Sequence, residues 1–150
     1  MPGIIVGVDG SEHSRRALGW ALREAVRHHA ALTVISVQRA PARPATEVYW
    51  PVLEHPERGL DEDAARRAVR DLVDKAASES GDPAPEVIVI VTTGNPAEEL
   101  VRAAQDADMV VIGTHGSGGF ASLLMGSVSN QVAHHAACPV VLVPGPRAAR

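Results

Sequence analysis

Between Gly113 and Ser127 the chain carries residue types and spacing suited to holding a polyphosphate. An apolar, β-branched run, Met109–Ile112, leads into Gly113-Thr114-His115-Gly116-Ser117-Gly118-Gly119, and Gly126-Ser127 then opens a helix, giving the pattern G-x2-G-x9-G-S. Glycines admit backbone conformations closed to other residues and let a ligand approach with no Cβ in the way. Successive N–H groups in such a loop can converge on an anion. A second set of N–H groups stands free at the helix start, where the macrodipole also favours negative charge.

Two familiar nucleotide motifs are excluded. A P-loop places a lysine after its last glycine to reach the β- and γ-phosphates, and the only lysine here is Lys75. A dinucleotide fingerprint belongs at the first strand–helix turn, which reads Gly7-Val8-Asp9-Gly10-Ser11-Glu12-His13 and lacks the third glycine. Phosphate charge therefore falls to backbone amides, to the hydroxyls of Ser117, Ser127 and Ser129, and to Mg²⁺. Asp9 supplies a carboxylate for that ion or for a ribose, or else is a turn residue that caps the first helix. His115, inside the glycine loop, can orient a phosphate or move a proton, or simply face solvent. The pairs His28-His29 and His134-His135 are poor bidentate metal ligands, because adjacent helical residues point ~100° apart. Cys138, before Pro139, reads as a small buried hydrophobe.

These residues need a scaffold, and five aliphatic runs supply its strands: Ile4–Val8, Leu32–Val37, Val87–Val91, Met109–Ile112 and Val140–Val143. Most lack polar alternation, as expected of parallel strands covered on both faces. Helical patterns alternate with them. The first is capped by Ser11 or Ser14 and repeats Ala17, Leu18, Ala21, Leu22, Ala25 and Val26. The second runs from Leu60 to about Ser78 with Ala64, Ala65, Ala68, Leu72, Val73 and Ala76 on one stripe, stopping toward Gly81. Asn95-Pro96, followed by Glu98 and Glu99, announces the third. The fourth starts at Ser127 or Ser129 and reaches about His135. Such alternation predicts a single α/β domain over 1–150 with a parallel sheet. In that class ligands sit beyond the carboxyl ends of the strands where strand order reverses. If the first and fourth strands are neighbours, Asp9 and Gly113 open onto one crevice. A Pro-rich stretch of about 38–58 interrupts the pattern as a surface loop, with Tyr49-Trp50 as a lid, a partner contact or aromatic cover for an exposed core edge.

Composition bounds the function. The chain has 150 residues, 45% of them hydrophobic, with one Phe and one Tyr, so its core is aliphatic. A net charge of −4 argues against nonspecific nucleic-acid binding, which needs clustered Lys and Arg. One cysteine permits no intrachain disulfide and suits a reducing compartment. With neither a signal-peptide pattern nor an apolar run of ~20 residues, a cytoplasmic protein without membrane contact is expected.

The chain resembles the universal stress protein family in its ATP-binding branch. The resemblance rests on Ile4-Ile5-Val6-Gly7-Val8-Asp9-Gly10-Ser11, on Leu32-Thr33-Val34-Ile35-Ser36-Val37 and on Gly94-Asn95-Pro96-Ala97-Glu98-Glu99-Leu100. Gly113-Thr114-His115-Gly116, Gly126-Ser127-Val128-Ser129 and Cys138-Pro139-Val140-Val141-Leu142-Val143-Pro144 complete it. Ser36 departs from the histidine common in the second strand of that family. The resemblance implies a Rossmann-like five-stranded parallel sheet of order 3-2-1-4-5 with helices on both faces. It implies that adenine meets the backbone at Val37 and near Gly7 and Val8, with Asp9 by the ribose or metal. Gly113, Thr114, His115, Gly116, Ser117, Gly118, Gly119, Gly126, Ser127, Val128 and Ser129 would then surround the phosphates. A homodimer pairing Val140–Val143 across a two-fold axis is also implied. The expected function is a nucleotide-responsive regulator of stress adaptation or dormancy that binds ATP with Mg²⁺ and has no dedicated catalytic residue. The alternatives are a slow ATPase or adenylate-handling transferase using His115, and a nucleotide-independent scaffold.

Overall fold

The computed structural model describes residues 3–39, 62–115 and 125–146. Most of the Pro-rich segment, with Tyr49 and Trp50, and the loop residues Gly116, Ser117, Gly118 and Gly119 lie outside the described residues. The strands are β1 (Ile4–Gly7), β2 (Leu32–Gln38), β3 (Val87–Thr93), β4 (Met109–Gly113) and β5 (Val140–Val143). They form one parallel sheet in the order β3-β2-β1-β4-β5, so β1 and β4 are neighbours. The helices are α1 (Glu12–His28), α2 (Glu62–Ser80), α3 (Pro96–Ala103) and α4 (Ser127–His135), with a 3-10 turn at Ala104–Asp106.

Two aliphatic layers sandwich the sheet, because successive strand side chains point to opposite faces. Ile4, Val6, Val8, Val34, Val89, Val111 and Val143 pack against α1 and α2. Ile5, Ile35, Val110 and Ile112 pack against α3 and α4 through Ala97, Leu100 and Val132. Of the stripe expected in α1, Ala17, Leu18, Ala21, Leu22 and Ala25 are buried and Val26 is half-buried. Ser11 is the cap of that helix, accepting from Ser14 N at 3.2 Å, while Ser14 is buried and donates back to Ser11 O at 2.9 Å. Asn95 caps α3 by accepting from Ala97 N and Glu98 N, with Pro96 at the first helical position.

Two expectations need correction. In α2 the buried residues are Val69 and Val73, whereas Ala68 is exposed. Ala68 lies ~100° round the helix from Val69, and a row of alanines does not reveal which side is inward. In β3 only one face is covered: Val89 and Val91 are 5% and 9% exposed, but Ile88 and Ile90 are 45% and 41% exposed. The apolar run suggested cover on both faces. On the far face, however, α3 packs chiefly against β2 and α4 against β5, and Ile88 and Ile90 stay exposed on this edge strand. Isoleucine persists there because a β-branched side chain suits the pleated surface whether or not it is covered. The two faces therefore differ in their response to substitution. Val89→Ala should cost about 1.5–3 kcal/mol, and Ile90→Thr should stay within about 0.5 kcal/mol of wild type, both read by chemical denaturation.

Candidate functional site

Strand order reverses between β1 and β4. The two run in parallel with Ile4 opposite Met109 and Val6 opposite Val111, and this register carried forward sets Asp9 level with Thr114. Three segments thus meet at one end of the sheet: the turn Val8–Gly10, the β4 exit Gly113–His115 and the start of α4 at Gly126–Ser129. Gly126 is the N-cap of α4 and makes no side-chain cap. The first hydrogen bond within α4 runs from Asn130 N to Gly126 O at 3.0 Å. The N–H groups of Ser127, Val128 and Ser129 accordingly have no partner within the helix. With the helix dipole behind them, they favour an anion.

Thr114 ties the three segments together. Its N–H donates to Val143 O at 3.1 Å, and its carbonyl accepts from Gly126 N and, at 2.8 Å, from Ser129 Oγ. Its hydroxyl lies 3.2 Å from His115 Nδ1 and 3.4 Å from His13 Nδ1. The two imidazoles stand 5.1 Å apart with their planes tilted by 58°. His13, in the first turn of α1, was not among the residues expected at the site. No sequence signal points to it; its place shows in two glycines of distant segments that leave room for it. A Cβ on Gly113 would lie 2.8 Å from both C and Cβ of His13, and a Cβ on Gly145 would run into its ring. Gly113 thus serves the close approach of α1 to β4 as well as the loop that follows.

The other expected site residues fall into place unequally. The Asp9 carboxylate is exposed and accepts from Ser11 N at 2.9 Å, while Asp9 N donates to Ser14 Oγ at 3.3 Å, so Asp9 does shape the turn before α1. Gly7 is buried, and a Cβ there would meet Leu100 Cδ1 at 3.0 Å, so its lack of a side chain serves the packing of α3. Val8 is buried and donates its N–H to Ile35 O at 2.9 Å, leaving its side chain in the core. Val37, near the end of β2, and Val128, in the first turn of α4, are half-buried against the second aliphatic layer. Ser127 is exposed beside the amides. Ser129 is 2% exposed, and its hydroxyl lies within hydrogen-bond distance of two carbonyls, Thr114 O and Gly126 O. It holds the loop to the helix, and its proton is not available to a phosphate. Cys138 is half-buried; burial is the main cause that raises its thiol pKa, which keeps it protonated and weakly nucleophilic at neutral pH. His28 Nε2 sits 3.3 Å from Glu24, and His29 closes α1 in the left-handed conformation with φ of 51°.

The dependence of Gly145 on His13 can be measured. Gly145→Ala should cost about 1–3 kcal/mol by overpacking. In a His13→Ala background most of that cost should vanish, a coupling of at least about 1 kcal/mol in a double-mutant cycle read by thermal or urea unfolding.

Comparison with known proteins agrees with this architecture. The model of the universal stress protein family matches residues 2–144. A universal stress protein of Mycobacterium tuberculosis is 35% identical over 144 residues, covering 94% of this chain and 47% of that protein. The chain thus spans about half the length of such mycobacterial relatives. One from Thermus aquaticus is 34% identical over 146 residues, covering 93% of this chain and 96% of that protein. The crystal structure of a universal stress protein in complex with cAMP matches with a TM-score of 0.65 at 26% identity, covering 97% of this chain and 98% of that one. The chain belongs to the universal stress protein family.

Proposed function

We propose that this protein binds an adenine nucleotide, ATP with Mg²⁺, at the β1/β4 crevice and acts as a nucleotide-responsive regulator of stress adaptation or dormancy. One observation carries the reading: Asp9, the β4 exit at Gly113–His115 and the amides of α4 converge where strand order reverses. A relative of the same fold that binds cAMP supports an adenine nucleotide. In this reading Val37 and the backbone near Gly7 and Val8 border the adenine. Gly113, Thr114 and His115, with the amides of Ser127, Val128 and Ser129, border the phosphates. Gly116, Ser117, Gly118 and Gly119 belong to the same proposed loop on sequence grounds alone. Asp9 suits Mg²⁺, which takes one or two carboxylates and completes its shell with phosphate oxygens and water. The bound ion would offset the charge of the triphosphate where lysine is lacking.

Ser127 allows a clean test. It is the first residue of α4, where proline is well tolerated and removes only an N–H that the helix does not use. Gly126 before it is already extended, with φ of −74° and ψ of 167°, as a residue preceding proline must be. Mg-ATP at a hundredfold excess over Kd should stabilise the wild type by about 2.7 kcal/mol. Ser127→Pro should melt like wild type without ligand yet bind ATP about tenfold or more weakly, since hydrogen bonds to charged groups are worth about 1.5–3 kcal/mol. A melting temperature that Mg-ATP leaves unmoved in the wild type would overturn the reading. The alternative, slow hydrolysis or adenylate transfer, draws on the imidazole pair beside Thr114. It requires ADP or AMP release that falls in a His115→Ala variant.

We further propose a cytoplasmic homodimer that pairs β5 with its symmetry mate. β5 is an edge strand, and Val140, Val141 and Leu142 on it are only half-buried; such an edge is an association surface unless covered. Light scattering should give a dimer for the wild type and a monomer for Leu142→Lys.

A further inference from the structure

Away from the β1/β4 crevice, the seam between α1 and α2 does not close. It leaves a groove of about 590 Å³ bounded at one end by Val143 and Pro144. Half-buried Trp20 lies in it, with Leu72 and Ala76 from α2. Exposed cations stand along it. Arg16 donates from Nε to Pro144 O at 3.1 Å, which fixes its guanidinium at the end of the groove without neutralising it. The side chains of Arg23 and Lys75 have no hydrogen-bond or ion-pair partner among the described residues. Arg15 and Glu12 on the same rim pair with each other, and Glu79 is the one further carboxylate lining it among the described residues, so the groove carries a net positive charge in a chain of net charge −4.

Gly19 adds a second, independent observation. It lies in the interior of α1, where glycine costs about 1 kcal/mol relative to alanine. The backbone does not require it, since its φ is not among the positive values. Packing does not require it either: a Cβ would meet only Arg23 Nη1, at an ordinary 3.6 Å. What a side chain at that position would do is fill the groove beside Trp20.

We propose that this groove is a docking site for an acidic segment of a partner protein. Carboxylates of the segment would meet Arg16, Arg23 and Lys75, and an apolar residue would sit on Trp20 over the bare backbone of Gly19. An aromatic centre with a charged rim in which arginine is prominent is the usual anatomy of a protein interface and of its hot spots. A small anion fits less well, because the cations are exposed along an open groove and a small-ligand site encloses about 70–90% of its ligand. Nucleic acid fits poorly too, since its binding draws on many phosphate contacts and this chain of net charge −4 offers only a short cationic groove. About 16 Å of α1 borders the groove, room for about five residues of extended chain.

The test is fluorescence anisotropy with the full chain and a labelled glutamate-rich peptide carrying a central leucine; the same peptide with lysines for glutamates is the counter-probe. Saturable binding of the acidic peptide alone is expected. Gly19→Leu and the pair Arg23→Glu/Lys75→Glu should each weaken it at least tenfold. Leucine is a strong helix former, so Gly19→Leu should keep the wild-type circular dichroism and melt no lower than wild type. Four results would each overturn the proposal: no saturable binding of the acidic peptide, equal binding of the lysine peptide, affinities within twofold of wild type in both variants, or displacement of the peptide by inorganic triphosphate as readily as by unlabelled peptide. A change of oligomeric state in Gly19→Leu would also overturn it, by showing that a second copy fills the groove. None of these outcomes depends on nucleotide binding at the β1/β4 crevice.

Discussion

The structure turns on the hydrogen bonds of one residue, Thr114. Its main chain joins β4 to β5 through Val143 and to α4 through Gly126 and Ser129, and its hydroxyl lies between the imidazoles of His13 and His115. Apart from the contact with adjacent His115, these links bring α1, α4 and β5 to the β4 exit from distant parts of the chain. Loss of any one frees a polar group in a half-buried place, at a cost of about 1–3 kcal/mol. The N-terminus of α4 stands beside the β4 exit because its cap is tied to Thr114, and α1 comes close because Gly113 and Gly145 make room for His13. The amides of Ser127, Val128 and Ser129 are therefore held in place by contacts made within the protein.

Much of this arrangement was legible in the sequence, and the physical reasons are specific. Continuous aliphatic runs mark the strands of the parallel sheet, and all five strands lie where their runs do. Asn95-Pro96 and Ser11 act through local chemistry, a side-chain oxygen meeting nearby amides, which a few residues encode fully. Strand order followed from the family resemblance, and the observed sheet has that order.

The features not legible in the sequence depend on residues distant along the chain. Nothing near His13 announces that it will stand 5.1 Å from His115, because that contact is made by the packing of α1 on β4. Ser129 resembles a phosphate ligand in a motif, yet burial brings its hydroxyl to two carbonyls. Gly7 resembles a ligand-approach glycine, yet Leu100 from α3 occupies the space its side chain would need. The uncovered face of β3 and the exposed Ala68 depend on which helix covers which strand. A motif names the residues near a site; tertiary packing decides which of their atoms remain available to a ligand.

Amide chemical shifts of isotopically labelled protein titrated with Mg-ATP would show whether the proposed adenine nucleotide sits beyond the carboxyl ends of β1 and β4. Saturable shifts concentrated at Val8–Ser11, Val37, Gly113–His115 and Ser127–Ser129 are expected, with the amides of α2 and β3 unmoved. Shifts centred on α2 and β3, or none at millimolar nucleotide, would contradict it.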